Sequence, residues 1–262
     1  MKVALRVMVA CAMVCAAAVA QQNDTHDVGS SLNPKLEAMP QELETRWELS
    51  ALPPHLRAGA TAYTLDPVKG YRVARQGTNG VSCIVVRSDW QWGTVPFRDD
   101  VYWPVCYDRE GSQTHLRQYL DAAELRAKGM NSAQVHDEIM KKFDRGVYRQ
   151  PAHAGIAYMT APLMRGYPGG KNSSVPETNH LPHYMVYAPN VTDADIGGKP
   201  YSLYPFMLKM SPGHDDVIIF LVGEAEKAQI LEESKNLLAD LCSYRKFLCG
   251  NPDETVGGHH SH

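Results

Sequence analysis

Basic side chains are not in excess. Lys and Arg total 26 against 29 Asp and Glu, for a formal charge of -3, whereas a chain built to grip a phosphate backbone shows the opposite balance. Nucleic acid is therefore not an expected partner. The short patterns of several common chemistries are also missing: there is no Gly-x-x-x-x-Gly-Lys-Ser/Thr, Gly-x-Gly-x-x-Gly, Gly-x-Ser-x-Gly, His-Glu-x-x-His or Cys-x-x-Cys-His. That removes the usual ATP, nicotinamide, serine-esterase, zincin and haem-c readings. After residue 20 no apolar run approaches the roughly 20 residues that a spanning helix needs. What remains is an ordinary composition for 262 residues, 44% hydrophobic and 21% charged, which excludes a fibrous or wholly disordered chain and allows a sizeable core.

The first twenty residues combine Lys2 and Arg6, an apolar run from Val7 to Val19, and Ala18-Val19-Ala20 ahead of Gln21. This is the pattern of a cleaved Sec-type signal peptide over 1–20, and it predicts a periplasmic or extracellular protein with no transmembrane segment after processing. Loss of Lys2 and Arg6 moves the formal charge to about -5. Cys11 and Cys15 leave with the leader, and Ala12-Met13-Val14 ahead of Cys15 makes a poor lipoprotein signal. Cys83, Cys106, Cys242 and Cys249 remain. In an oxidising compartment their even number favours disulfides, and spacing suggests Cys83 with Cys106 and Cys242 with Cys249, although four cysteines permit three connectivities.

Periodicity predicts an α+β fold: an antiparallel sheet with flanking helices, a long C-terminal helix and long irregular loops. Residues 21–34 read as a flexible N-terminus, 35–250 as a single domain and 251–262 as a disordered His-rich tail. Leu36, Met39, Leu43, Trp47 and Leu52 recur at helical spacing, interrupted by Pro40. Runs at 60–66, 71–75 and 81–88 read as a meander, with a fourth strand near 101–107 that Pro104 makes an edge or an interrupted strand. Asp121 and Ser132 are expected helix N-caps, with Gly129 and Gly146 as closing residues. Strand-like pieces return at 155–161, 183–188 and 216–222. The last is apolar from Val217 to Val222 and is expected to be covered on both faces. A single helix is expected from Glu224 to about Phe247.

Candidate chemistry gathers in the loops. His180 and His183 flank Leu181-Pro182 at a strand entry; with His153 or His214 from another loop they could hold zinc or another divalent metal, although isolated histidines more often satisfy hydrogen bonds. Asp193-Ala194-Asp195 ahead of Gly197 resembles a fragment of a calcium loop but lacks its later bidentate Glu; turn-making or capping is the plainer reading. Arg75, Asn79, Arg87, Arg98, Asp99, Asp100 and Asp108 lie next to strands and could pair as surface ions or hold an anion. Tyr158, Tyr167, Tyr184, Tyr187, Tyr201 and Tyr204 could line an aromatic pocket or simply pack the core rim. The tail residues His259, His260 and His262 could chelate metal weakly. Asn23, Asn172 and Asn190 head glycosylation sequons that matter only where exported proteins are glycosylated.

Gln76-Gly77-Thr78-Asn79-Gly80-Val81-Ser82-Cys83-Ile84-Val85, Pro182-His183-Tyr184-Met185-Val186-Tyr187-Ala188-Pro189-Asn190 and Leu221-Val222-Gly223-Glu224-Ala225-Glu226-Lys227 together resemble a group of exported bacterial proteins of unknown function. The resemblance spans most of 45–250 and implies export from a bacterium, with no assigned activity. Three functional expectations follow. The first is a binding protein holding a small ligand or a metal ion in the loops around His153, His183 and Asp195. The second is a metal-dependent hydrolase with His183 as ligand and Asp193 or Asp195 as base. The third is an envelope structural or interaction module with no site.

Overall fold

The computed structural model of the chain describes residues 35–167, 175–199, 202–209 and 216–250. The leader, the 21–34 stretch, His214, Tyr201, Asn23, Asn172 and the His-rich tail lie outside those residues. In chain order the elements are α1 (Gln41–Ser50), α2 (Pro54–Arg57), β1 (Thr61–Asp66), β2 (Gly70–Arg75), β3 (Ser82–Val86) and β4 (Trp103–Tyr107). Next come α3 (Arg109–Gln113), α4 (His115–Ala127), α5 (Ser132–Asp144), β5 (Ile156–Met159), β6 (Met164–Gly166) and β7 (Glu177–Asn179). The chain continues with β8 (His183–Tyr187), α6 (Asp193–Ile196), β9 (Phe206–Lys209), β10 (Asp216–Leu221), α7 (Glu224–Glu233) and α8 (Lys235–Tyr244), followed by a 3-10 turn at Lys246–Leu248. Eight strands form one sheet in the order β2-β1-β3-β4-β5-β8-β10-β9, and β6 pairs with β7 separately. The fold is mixed α+β with an antiparallel-dominated sheet.

The expected meander is corrected at its third strand. β3 pairs with β1, and does so in parallel. After the β1–β2 hairpin the chain passes beneath the start of β1 and rises on its far side. Gly77 makes that passage possible, because a Cβ there would stand 2.3 Å from the backbone of Gly59, Ala60 and Thr61. The crossing is held by Thr78 and Asn79 N–H groups donating to the Gly59 carbonyl at 2.7 and 3.0 Å, and by Thr61 N–H donating to Val81 at 2.8 Å. Asn79 adds its side chain, donating to Leu56 O and accepting from Val81 N–H, both at 3.0 Å. β4 is interior, but its pairing with β5 covers only Cys106 and Tyr107. Pro104 therefore faces no partner strand on that side, consistent with its missing N–H.

β3 is buried at every position because both of its faces are covered. Ile84 and Val86 join the core under α4 and α5, with Leu116, Tyr119, Val135, Ile139 and Phe143. Cys83 and Val85 join the opposite core, with Trp47 of α1 and Leu241 of α8. A disulfide joins the directly paired Cys83 and Cys106, and a second joins Cys242 to Cys249. No described helix is long and apolar enough to cross a membrane.

Several helix boundaries differ from expectation. The C-terminal helix is two helices meeting at Ser234 (φ -105°, ψ 8°). α7 buries none of its residues whereas α8 buries Leu237 and Leu241, so packing does not hold the two to a common axis. Asp121 lies within α4, and its carboxylate accepts from Lys142 Nζ at 2.7 Å and Tyr148 OH at 2.6 Å. Asn131, one residue before Ser132, caps α5 through a reciprocal box with Gln134. β10 alternates where two-sided cover was expected: Val217 and Ile219 are buried while Phe220 is 38% exposed.

α1 starts directly after Pro40 and turns two acids inward. Glu44 and Glu48, one turn apart, are both fully buried beneath β1. Glu44 accepts from Leu65 N–H at 3.3 Å. Glu48 faces the Tyr63 amide where β1 bulges, and neither of its oxygens forms a hydrogen bond. Burial, partly offset by Arg87 and the Leu65 amide, pushes the Glu44 pKa up to about 7, and burial together with the neighbouring Glu44 pushes Glu48 well above the carboxylate range.

Two measurements test these features. Gly77→Ala should cost about 2–4 kcal/mol in equilibrium unfolding, because the added methyl meets backbone rather than a flexible side chain. Gly146→Ala, with open space around it but φ 67°, should cost only about 1–2 kcal/mol. Equal losses would refute the close crossing. For the acids, a folded pKa above the unfolded one means the stabilisation is complete below about pH 4.5 and is lost as pH rises through the raised folded values. The contribution of the two acids should therefore fall from pH 5 to pH 8, and Glu48→Gln should flatten the pH profile relative to wild type and leave the variant the more stable of the two at pH 8. Parallel pH profiles for the two proteins would contradict it.

Candidate ligand cavity

Strand alternation places one set of side chains on the α4/α5 face of the sheet. Register aligns Tyr107 with Ala157, Ala157 with Met185, Met185 with Ile219, and Ile219 with Phe206, a row across five strands. A neighbouring row on the same face holds Met159, His183 and Leu221. α4 packs over β2 and against α5, so the helical cover sits at the β2 end. Toward β8, β10 and β9 these rows border a cavity of about 210 Å³.

Its floor is Val105, Met159, Met185, Ile219 and Leu221, with Phe206 and Leu208 from β9. Its other walls come from Tyr119 of α4, from the loop that carries Gln91 and Trp92, from Met164 of β6 and from Tyr167 just after that strand. Trp92 stands edge-on to Trp103 at 5.9 Å and to Tyr167 at 5.7 Å, a geometry that aromatic quadrupoles favour. The Trp103 indole packs against Gly166, where a Cβ would fall 2.2 Å from Nε1. Apart from its tyrosines and tryptophans, the lining holds few polar residues: Gln91, Asn179, His183 and, at an exposed position, Lys209. Gln91 donates to the Tyr119 hydroxyl at 3.1 Å.

The loop that supplies Trp92 is pinned by buried charge. Arg126 of α4 donates to the carbonyls of Arg87 (2.6 Å) and Arg98 (3.1 Å), and burial pulls its pKa down to about 10. Asp100 takes both Arg98 (2.6 and 2.9 Å) and Arg165 (3.0 Å). Burial alone would raise the Asp100 pKa, but the two guanidiniums outweigh it and hold the carboxyl below its ordinary value. Asp89, enclosed in the same loop, is pushed up to about 7 by burial, with the Gln91 amide partly offsetting the rise.

The histidines and acids singled out by sequence do not meet at this cavity as a set. His183 lines it; its Nδ1–H donates to Leu181 O at 2.7 Å, and burial lowers its pKa. His180 is also buried but borders a separate cavity of about 180 Å³ with Leu231, Leu238 and the Cys242–Cys249 bridge, and its Nδ1–H donates to Pro162 O at 2.6 Å. His153 is exposed. Asp193 accepts from Met207 N–H at 2.8 Å. Asp195 closes a capping box with Thr192, whose hydroxyl and amide donate at 2.7 and 2.8 Å and lower its pKa. Among the described residues no group of three or more His, Cys, Asp or Glu assembles as a metal-holding set.

The strand-adjacent polar residues do structural work as well. Arg75 donates to Ala60 O, Arg87 lies 4.0 Å over the Tyr102 ring, and Asp99 is exposed. Asp108 caps α3 through Gly111 N–H and receives Ile156 N–H, both at 2.8 Å, and the Tyr187 hydroxyl at 3.3 Å. Among the tyrosines, Tyr167 reaches the cavity, Tyr158 and Tyr184 pack edge-on at 5.9 Å on the opposite sheet face, and Tyr204 is 79% exposed. Sequence reasoning missed Gln91, Trp92, Trp103, Tyr119 and Met185. The available signal was the cluster Trp90-Gln91-Trp92-Gly93 in a loop, beside strands with alternating apolar positions.

No family model, no curated protein and no solved structure matches the chain.

Proposed function

We propose that this is an exported protein that binds a small, predominantly apolar ligand in the cavity bordered by Trp92, Met185 and Ile219. One observation carries the reading: the space is about 210 Å³, and an apolar cavity of roughly 150 Å³ is already enough to hold benzene in another protein. The cavity opens to solvent at one side, and a ligand that covers its apolar lining removes that surface from water. The walls also have the make-up of a small-molecule site, mostly aliphatic and aromatic with few polar groups. Export is supported by the two disulfides, which persist in oxidising compartments. A metal-bound water has less support, because His180 and His183 border different cavities and Asp193 and Asp195 serve the local backbone.

The methionines supply the test. Met159, Met164 and Met185 line the cavity, so in methyl-labelled protein titrated with toluene or naphthalene their resonances should shift saturably, with the remaining methionines unaffected. At a hundredfold excess over Kd the ligand should stabilise the fold by about 2.7 kcal/mol. Leu208→Trp, which places an indole in the space, should abolish the shifts without unfolding the chain. Absence of saturation, or equal shifts at all methionines, would defeat the reading.

A further inference from the structure

His183 is a buried polar group on the cavity's sheet wall. It is 6% exposed and shares its face with Met159, Met185 and Leu221. A carbonyl accepts but cannot donate, so the 2.7 Å contact between Nδ1 and Leu181 O assigns the ring proton to Nδ1. The lone pair is then on Nε2, the one remaining polar atom that the ring can offer to the cavity. Burial disfavours a second proton on the ring, which keeps it an acceptor. Lys209 is the cationic group in the lining, and an ammonium would attract an acid; Gln91 and Asn179 are neutral amides that would not favour one. Lys209 is exposed, however, and an exposed charge contributes little because water already solvates it. A carboxylate placed at His183 would set its lone pairs against that of Nε2 and bury a charge without a partner.

Resting on the cavity reading above, we propose that the ligand presents an uncharged hydroxyl or N–H group to Nε2 of His183: a ring alcohol, phenol or indole-like molecule of one or two rings, in preference to a hydrocarbon or an organic acid. The hydroxyl donates and Nε2 accepts, with no bond made or broken. Size follows from the volume, which is about 1.4 times that of a benzene-holding cavity and matches one or two rings.

The test compares four ligands of one shape on the wild-type protein, read by fluorescence of Trp92 and Trp103, which line the site. They are 2-naphthol, naphthalene, 2-methoxynaphthalene and 2-naphthoate. 2-Naphthol should bind at least about fivefold more tightly than the hydrocarbon or the ether, the margin of one net hydrogen bond, and 2-naphthoate should bind weakest. His183→Leu should bring naphthol and naphthalene to equal affinity while naphthalene is retained. If that variant fails to fold, the ether comparison and the Nε2 resonance in 15N-histidine-labelled wild-type protein still decide, because donation to Nε2 shifts that resonance and naphthalene does not. Equal binding of naphthol, naphthalene and ether overturns the donor assignment but leaves the cavity reading intact. Tightest binding of naphthoate overturns it in favour of Lys209. Failure of all four to bind overturns both.

Discussion

The sheet is wider than its cover. Eight strands at about 4.8 Å spacing span roughly 35 Å, whereas two adjacent helices shield about 20 Å. α4 is placed at the β2 end by its packing on that strand, and the excess width falls on β5, β8, β10 and β9. On the α4/α5 face that excess is closed by loops rather than by a third helix, and loops seldom fill space as helices do. The cavity follows from this mismatch. On the reverse face the same excess leaves Phe220 38% exposed and explains why an unbroken apolar run, Val217 to Val222, is not buried on both sides.

Where cover is complete, the burden shifts to charge. The layer formed by α1 and α8 brings Glu44 and Glu48 beneath β1, and Arg87 lies buried nearby against Tyr102. Such an arrangement is a poor source of net stability, because desolvation of the acids offsets most of their attraction to the guanidinium. What it supplies is position. Glu44 receives the Leu65 amide, and the Arg87 amide donates to the Tyr71 hydroxyl at 3.0 Å, which in turn donates to Val85 O at 2.6 Å. The start of the loop carrying Gln91 and Trp92 is thereby tied to β2, β3 and α4. The aromatic wall of the cavity depends on a polar scaffold behind it.

Fold class and both disulfide pairings were legible in the sequence because each rests on local signals: period-2 runs, and cysteines separated by 23 and 7 residues. The parallel β1–β3 pair was not, since a hairpin followed by a six-residue link reads as a meander unless the 2.3 Å approach at Gly77 is known. Helix ends were off for similar reasons. Asp121 has the spacing of a cap but is recruited by Lys142 and Tyr148 from 21 and 27 residues away, a tertiary demand that overrides a local preference. Ser234 shows the reverse, a junction that an apolar stripe alone does not reveal.

The cavity itself was only half legible. His183 drew notice for its spacing to His180, as a member of a metal pair, and the structure places the two rings at different cavities. The spacing pointed to the residue, but only its register can say what surrounds it: pairing with Met159 and Leu221 sets an imidazole in an aliphatic wall. An Nδ1–H committed to a carbonyl leaves the Nε2 lone pair free for either a cation or a neutral donor; the methionines and leucines that share the wall supply no further anionic ligand for a cation. The same side chain thus reads as two chemistries, and neighbours contributed by three separate strands decide between them.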